Sequence, residues 1–177
     1  PRRSKVHVMR KDYYDTEVRE NNAALYVKAS PEGASYGFRV GKPAGKAKAN
    51  SPWSLLMKAL VKEDELRQML HSVLDTQGLQ LDIYAMEMSY SLVGRITTQA
   101  EGYLWEHEGA EQEVSRPMSG EELAEYLQNV APKQRCDLYA CKQMPPEDAL
   151  EAGAGLANEI AEVFEALVPL YDTSVGA

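Results

Sequence analysis

Cysteine is scarce in this 177-residue chain, with only Cys136 and Cys141 present. Five residues apart on a predicted strand, the two point to opposite faces, which argues against a disulfide between them. A reduced, cytoplasmic setting is expected. His7, His71 and His107 are scattered, and neither Cys-x-x-Cys nor His-Glu-x-x-His occurs, so no metal ion or cofactor is expected. No run of about 18 apolar residues exists, which excludes a membrane-spanning helix, and no membrane partner is expected. Arg2, Arg3 and Lys5 lack a following apolar core, so the start is not a secretory signal. The first residue is Pro1, and an excised domain of a longer protein is expected.

Catalytic and nucleotide signatures are missing too. There is no Gly-x-Ser-x-Gly elbow and no Gly-x-Gly-x-x-Gly. Gly45-Lys46 has Val40 where a Walker motif needs Gly, and Ala47 where it needs Ser or Thr. Two looser constellations remain, Asp82 and Glu87 with Lys142, and Glu101 with His107 and Glu108. Such groups suit a metal-dependent hydrolase or an acid–base pair only where folding makes them converge. A non-catalytic binding module is the better reading.

Charge is present in abundance but unevenly. Residues 1–62 hold 13 Lys and Arg against 5 Asp and Glu, while residues 63–177 hold 6 against 22. A basic first third in an acidic protein points to a polyanion partner, and DNA is the expectation. Arg2, Arg3, Lys5, Arg10 and Lys11 form a basic N-terminal arm over residues 1–22, with an edge strand at its start. A single domain is expected over residues 23–177.

Within that domain, residues 35–53 organise the rest. Tyr36, Phe38 and Val40 alternate with Gly37, Arg39 and Gly41, the period of a strand with one buried face. Lys42, Lys46 and Lys48 follow in a Gly/Pro loop, and Ser51-Pro52 starts a helix. The loop reads either as a solvated connector or, with Arg39 and the arm, as a phosphate-contacting surface. Tyr36, Phe38 and Trp53 are the aromatics placed by composition to stack a base.

Elsewhere the periodicities are plain. Ala23 to Ser30 pairs with Tyr36 to Gly41 as a hairpin across Pro31-Glu32-Gly33. Helices are predicted from Pro52 to Val61 and from Glu63 to Thr76. An acidic meander follows, with strands at Leu79–Tyr84, Leu92–Thr98, Gly102–Glu108 and Gln112–Ser115. Ser119 and Glu122 make a capping box, Asp137 to Lys142 is a strand, and a long helix runs from Pro145 until Pro169 stops it. The fold class is α+β, an antiparallel or mixed sheet with helices packed against it and a long C-terminal helix.

The segments Ala-Leu-Tyr-Val-Lys, Ser-Tyr-Gly-Phe-Arg-Val-Gly and Phe-Glu-Ala-Leu-Val-Pro-Leu-Tyr resemble N-terminal domains fused to McrB-type AAA+ GTPases of modification-dependent restriction systems. The resemblance implies a specificity domain that recognises DNA, with a modified base as one target, while other domains or subunits of the parent protein act. No recognition motif is matched, so no binding residue is carried over. The alternative is a protein-interaction or assembly domain without nucleic-acid affinity, using the acidic meander or the last helix.

Overall fold

In the computed structural model, residues 5–8, 22–45, 47–86, 89–106 and 115–177 are described. Eight strands form one sheet: β1 (Lys5–Val8), β2 (Ala23–Ser30), β3 (Gly33–Lys42), β4 (Gln80–Met86), β5 (Tyr90–Gln99), β6 (Gly102–Glu106), β7 (Ser115–Met118) and β8 (Cys136–Met144). Their order across the sheet is β1-β2-β3-β8-β4-β5-β6-β7, and every neighbouring pair is antiparallel. The late strand β8 thus inserts between the β2–β3 hairpin and the β4–β7 meander. It joins two locally formed units into one sheet.

Among the described residues five helices accompany the sheet: α1 (Pro52–Lys62), α2 (Asp64–Gln77), α3 (Gly120–Asn129), α4 (Pro146–Ala152) and α5 (Gly155–Val175). Ser51 accepts a hydrogen bond from the Ser54 amide, and Pro52 at the first helical position sacrifices no needed donor. Gly78 closes α2 in the left-handed conformation, where a side chain would be strained. Ser119 and Glu122 form the reciprocal capping box that starts α3.

Alternation decides what fills the core. Tyr36, Phe38 and Val40 of β3, Leu81 and Ile83 of β4, Ile96 of β5 and Leu138 and Ala140 of β8 lie in one buried cluster. Trp53, Leu56 and Leu60 of α1, Leu70 and Leu74 of α2, Leu127 of α3 and Leu167 and Leu170 of α5 complete it. α1 packs against β3, α2, α3 and α5, which places it at the centre of the helical layer. Among the described residues no helix is long and apolar enough to cross a membrane.

Several boundaries differ from the sequence expectations, β5 and β8 among them, which run longer at both ends. β3 runs on through Lys42, because its backbone stays paired with Cys136 of β8. The last described strand of the meander is Ser115–Met118, and of the expected Gln112–Ser115 strand only Ser115 lies within the described residues. Pro117 is tolerated there because β7 is an edge strand, where no ladder partner is lost on the outer side. The single long helix is two: Gly153, at φ 51° and ψ −127°, breaks it, and α5 then continues through Pro169 to Val175. The notch left by the missing Pro169 amide sits at an exposed position, so the helix carries the proline without burying an orphan acceptor.

Candidate functional site

The sequence-predicted aromatics do not form a surface. Tyr36, Phe38 and Trp53 are buried members of the core. The Tyr36 hydroxyl donates to Glu159 Oε1 of α5 at 2.7 Å. Strand alternation turns these rings toward the helices, so they are unavailable to stack a base. Arg39, on the opposite face, is buried and ion-paired with the buried Asp137. Lys42 donates its ammonium to the Ala131 carbonyl, and burial holds its pKa below the ordinary lysine value. Neither can meet a phosphate in this arrangement. Lys48 is exposed in the loop, which is tied down by the Gly45 amide donating to the Lys133 carbonyl. Arg2, Arg3, Arg10, Lys11 and Lys46 lie outside the described residues, as does the side chain of Lys5, whose backbone pairs with Ala29.

The looser catalytic groups are not assembled either. Asp82 faces away from the helices, whereas Lys142 pairs with Glu159 on α5, so the two stand on opposite sides of the sheet. Glu87, His107 and Glu108 lie outside the described residues. Among the described residues no three His, Cys, Asp or Glu side chains converge to hold a metal ion.

What the fold does assemble lies on the sheet face opposite the helical layer. Register defines it as cross-strand rows. Lys28, Ser35 and Gln143 form one row across β2, β3 and β8. Tyr26, Gly37, Cys141 and Gln80 form the next. Arg39, Tyr139, Asp82 and Arg95 form a third, and Asp137 with Tyr84 a fourth. Directly opposed side chains in such rows are in contact range. The tyrosines interlock: Tyr139 meets Tyr26 edge-on at 5.4 Å and Tyr84 edge-on at 5.5 Å, while Tyr84 and Tyr90 stack at 5.4 Å. Edge-to-face and offset pairs of this kind stabilise beyond their buried area.

Gly37 makes this packing possible. A Cβ there would lie 2.0 Å from the Ala140 carbonyl oxygen, and φ is +150°. Two carboxylates pin the floor. Asp137 accepts from Arg39, from the Tyr90 hydroxyl at 2.6 Å and from Arg135 Nη2 at 3.4 Å. Asp82 accepts from Arg95 Nε at 2.9 Å, from Gln80 Nε2 at 3.1 Å and from Gln143 Nε2 at 2.7 Å. Buried charges need such company.

Above this floor is a cavity of about 730 Å³, walled by Tyr26, Tyr84, Tyr90 and Tyr139, with Ser35, Asp82, Cys141 and Gln143 among its polar lining and Lys28 and Glu32 in its wall. Burial raises the pKa of Tyr26, Tyr84 and Tyr90 above the ordinary phenol value. Burial, and then the neighbouring Asp82 carboxylate, pushes the Cys141 thiol up to about 12. The phenols and the thiol therefore stay protonated near neutrality. The carboxylates are engaged by cations and amides. The arrangement offers ring faces, ring edges and neutral hydrogen-bonding groups, which suit recognition of a planar ligand rather than acid–base or nucleophilic chemistry.

The sequence conceals this site because its residues sit at the positions between the apolar ones. They read there as a solvated sheet face. Only the recurrence of tyrosine at those positions in β2, β4, β5 and β8 hints otherwise. Comparison of the chain with protein-family models, with curated proteins and with solved structures finds no match.

Proposed function

We propose that the chain is a non-catalytic DNA-recognition domain that takes a base, turned out of its strand, into the tyrosine-lined cavity. The carrying observation is the cavity itself: four tyrosines around about 730 Å³, over carboxylates that are already satisfied. Its volume falls within the roughly 300–1,000 Å³ of small-ligand pockets. Stacking on aromatic side chains is worth about 1–3 kcal/mol per base, and an extruded base needs such a wall to offset its lost stacking in the duplex. Lys28 is exposed at the cavity wall and Lys48 is exposed in the loop, two cations suited to phosphates. The basic first third supplies the long-range attraction. In this reading the domain serves a larger restriction or defence protein, a base modification is what it senses, and cleavage belongs to other domains.

The test is a titration of fluorescent duplexes, with and without a methylated cytosine or adenine, at two salt concentrations. Salt-sensitive binding that favours one modification is the expected result. Absence of binding to every duplex at low salt would overturn the proposal and favour a protein partner.

A further inference from the structure

From the cross-strand register of its lining we infer that the cavity is a trough for DNA unpaired over several nucleotides, with a base on Tyr84 and a phosphate further along the same strand on Lys28. The inference rests on the reading of the cavity as a base site. The residues lining the cavity span much of the sheet. Tyr84 stands opposite Asp137 on β8, whereas Lys28 shares the row of Gln143, six residues further on. At about 3.4 Å per residue, that is about 20 Å along the strands. β4 and β2 are three strand spacings apart, which adds about 14 Å across the sheet. On a flat sheet the lining thus runs diagonally for about 24 Å from backbone to backbone. A strand stacked as in the duplex advances about 3.4 Å per nucleotide, so one base with its own phosphate occupies only the tyrosine end.

The chemistry changes along that diagonal. Tyr84, Tyr90 and Tyr139 present partly exposed rings at one end. Tyr26, between the ends, is buried and pairs its hydroxyl with Ser35 at 2.9 Å. At the rings the cations are spent: Arg39 and Arg135 pair with Asp137, and Arg95 with Asp82. At the far end Lys28 is exposed and makes no hydrogen bond or ion pair among the described residues, so its ammonium keeps its donors for a phosphate. Glu32 lies in the wall there too, but its carboxylate bonds the Ser30 hydroxyl and forms no ion pair with Lys28. Rings at one end and an unpaired cation at the other suit a groove that stacks bases and tracks a backbone. A duplex with a single base turned out offers this trough one nucleotide, so DNA that is already unpaired fits it better.

Fluorescence anisotropy tests this with single strands that carry one central thymine, flanked on each side by one or by four abasic nucleotides. The lone thymine fixes where the base sits, and the added length contributes backbone alone. The longer strand should bind about tenfold tighter at low salt. Lys28→Gln, at an exposed position, should remove most of that gain and reduce the slope of log K against log salt by about 0.7. Tyr84→Leu should weaken both strands together. A gain untouched by Lys28→Gln, or no gain at all, with Tyr84 still required, would overturn the trough and leave the base site standing. Binding indifferent to Tyr84, or no binding, would overturn both.

Discussion

Gly37 shows how closely single residues constrain the tyrosine face. Any Cβ there collides with the backbone of β8, and the conformation disfavours an L side chain as well. Gly37→Ala should destabilise the protein by about 3 kcal/mol, through strain and overpacking together, read as a lowered urea midpoint. Arg39 and Asp137 make the second residue-scale case. Asp137→Leu removes the carboxylate from a buried guanidinium and should cost about 3–5 kcal/mol, part of it recovered in Arg39→Met/Asp137→Leu, where the Tyr90 hydroxyl and Arg135 still lose that acceptor. A phosphate-contacting Arg39 would instead change the salt dependence of DNA binding and leave stability alone. Glu159 gives a pH-dependent case. The Lys142 ammonium and then the Tyr36 hydroxyl hold its carboxyl below the ordinary glutamate range. Its contribution is therefore complete above the unfolded value and is lost as pH falls through the lower, folded one. Urea midpoints should drop in acid, and Glu159→Gln should make that drop shallower.

Element by element, what was legible followed local rules. The hairpin, α1, α2 and the capped α3 announce themselves through alternation, helical spacing and cap residues, all properties of neighbours in sequence. The α+β class follows from their order. The insertion of β8 between β3 and β4 is a long-range pairing, and no local pattern encodes it. That pairing creates the candidate site, which is why the sequence shows the site's supports and not the site. The basic and aromatic residues of β3 misled for the same reason. Alternation told which residues share a face, but not that both faces of a central strand are covered. Proline removes a helical hydrogen bond, which predicts a stop at Pro169, yet tertiary packing of Val163, Leu167 and Leu170 carries α5 past it. Pro169→Ala should restore that bond at an exposed position and raise stability by up to about 3 kcal/mol, seen as a higher Tm.

At the scale of the whole molecule, the helices and the apolar sheet residues account for stability, and the opposite sheet face carries a polar, aromatic cavity that stability alone does not require. A face built only to be solvated would not bury Asp82 and Asp137 or order four tyrosines around an open volume. The cavity is where the proposed function is tested most directly, by the affinity of a base-extruding DNA for the protein and for Tyr84→Leu, with urea midpoints of both. Loss of one stacking face should weaken binding about tenfold, for a contact worth about 1–3 kcal/mol, while the midpoint falls modestly because the Tyr84 pairs with Tyr90 and Tyr139 go with the ring. Equal affinity of the two folded proteins would contradict it and move the DNA, if bound at all, off the tyrosine face.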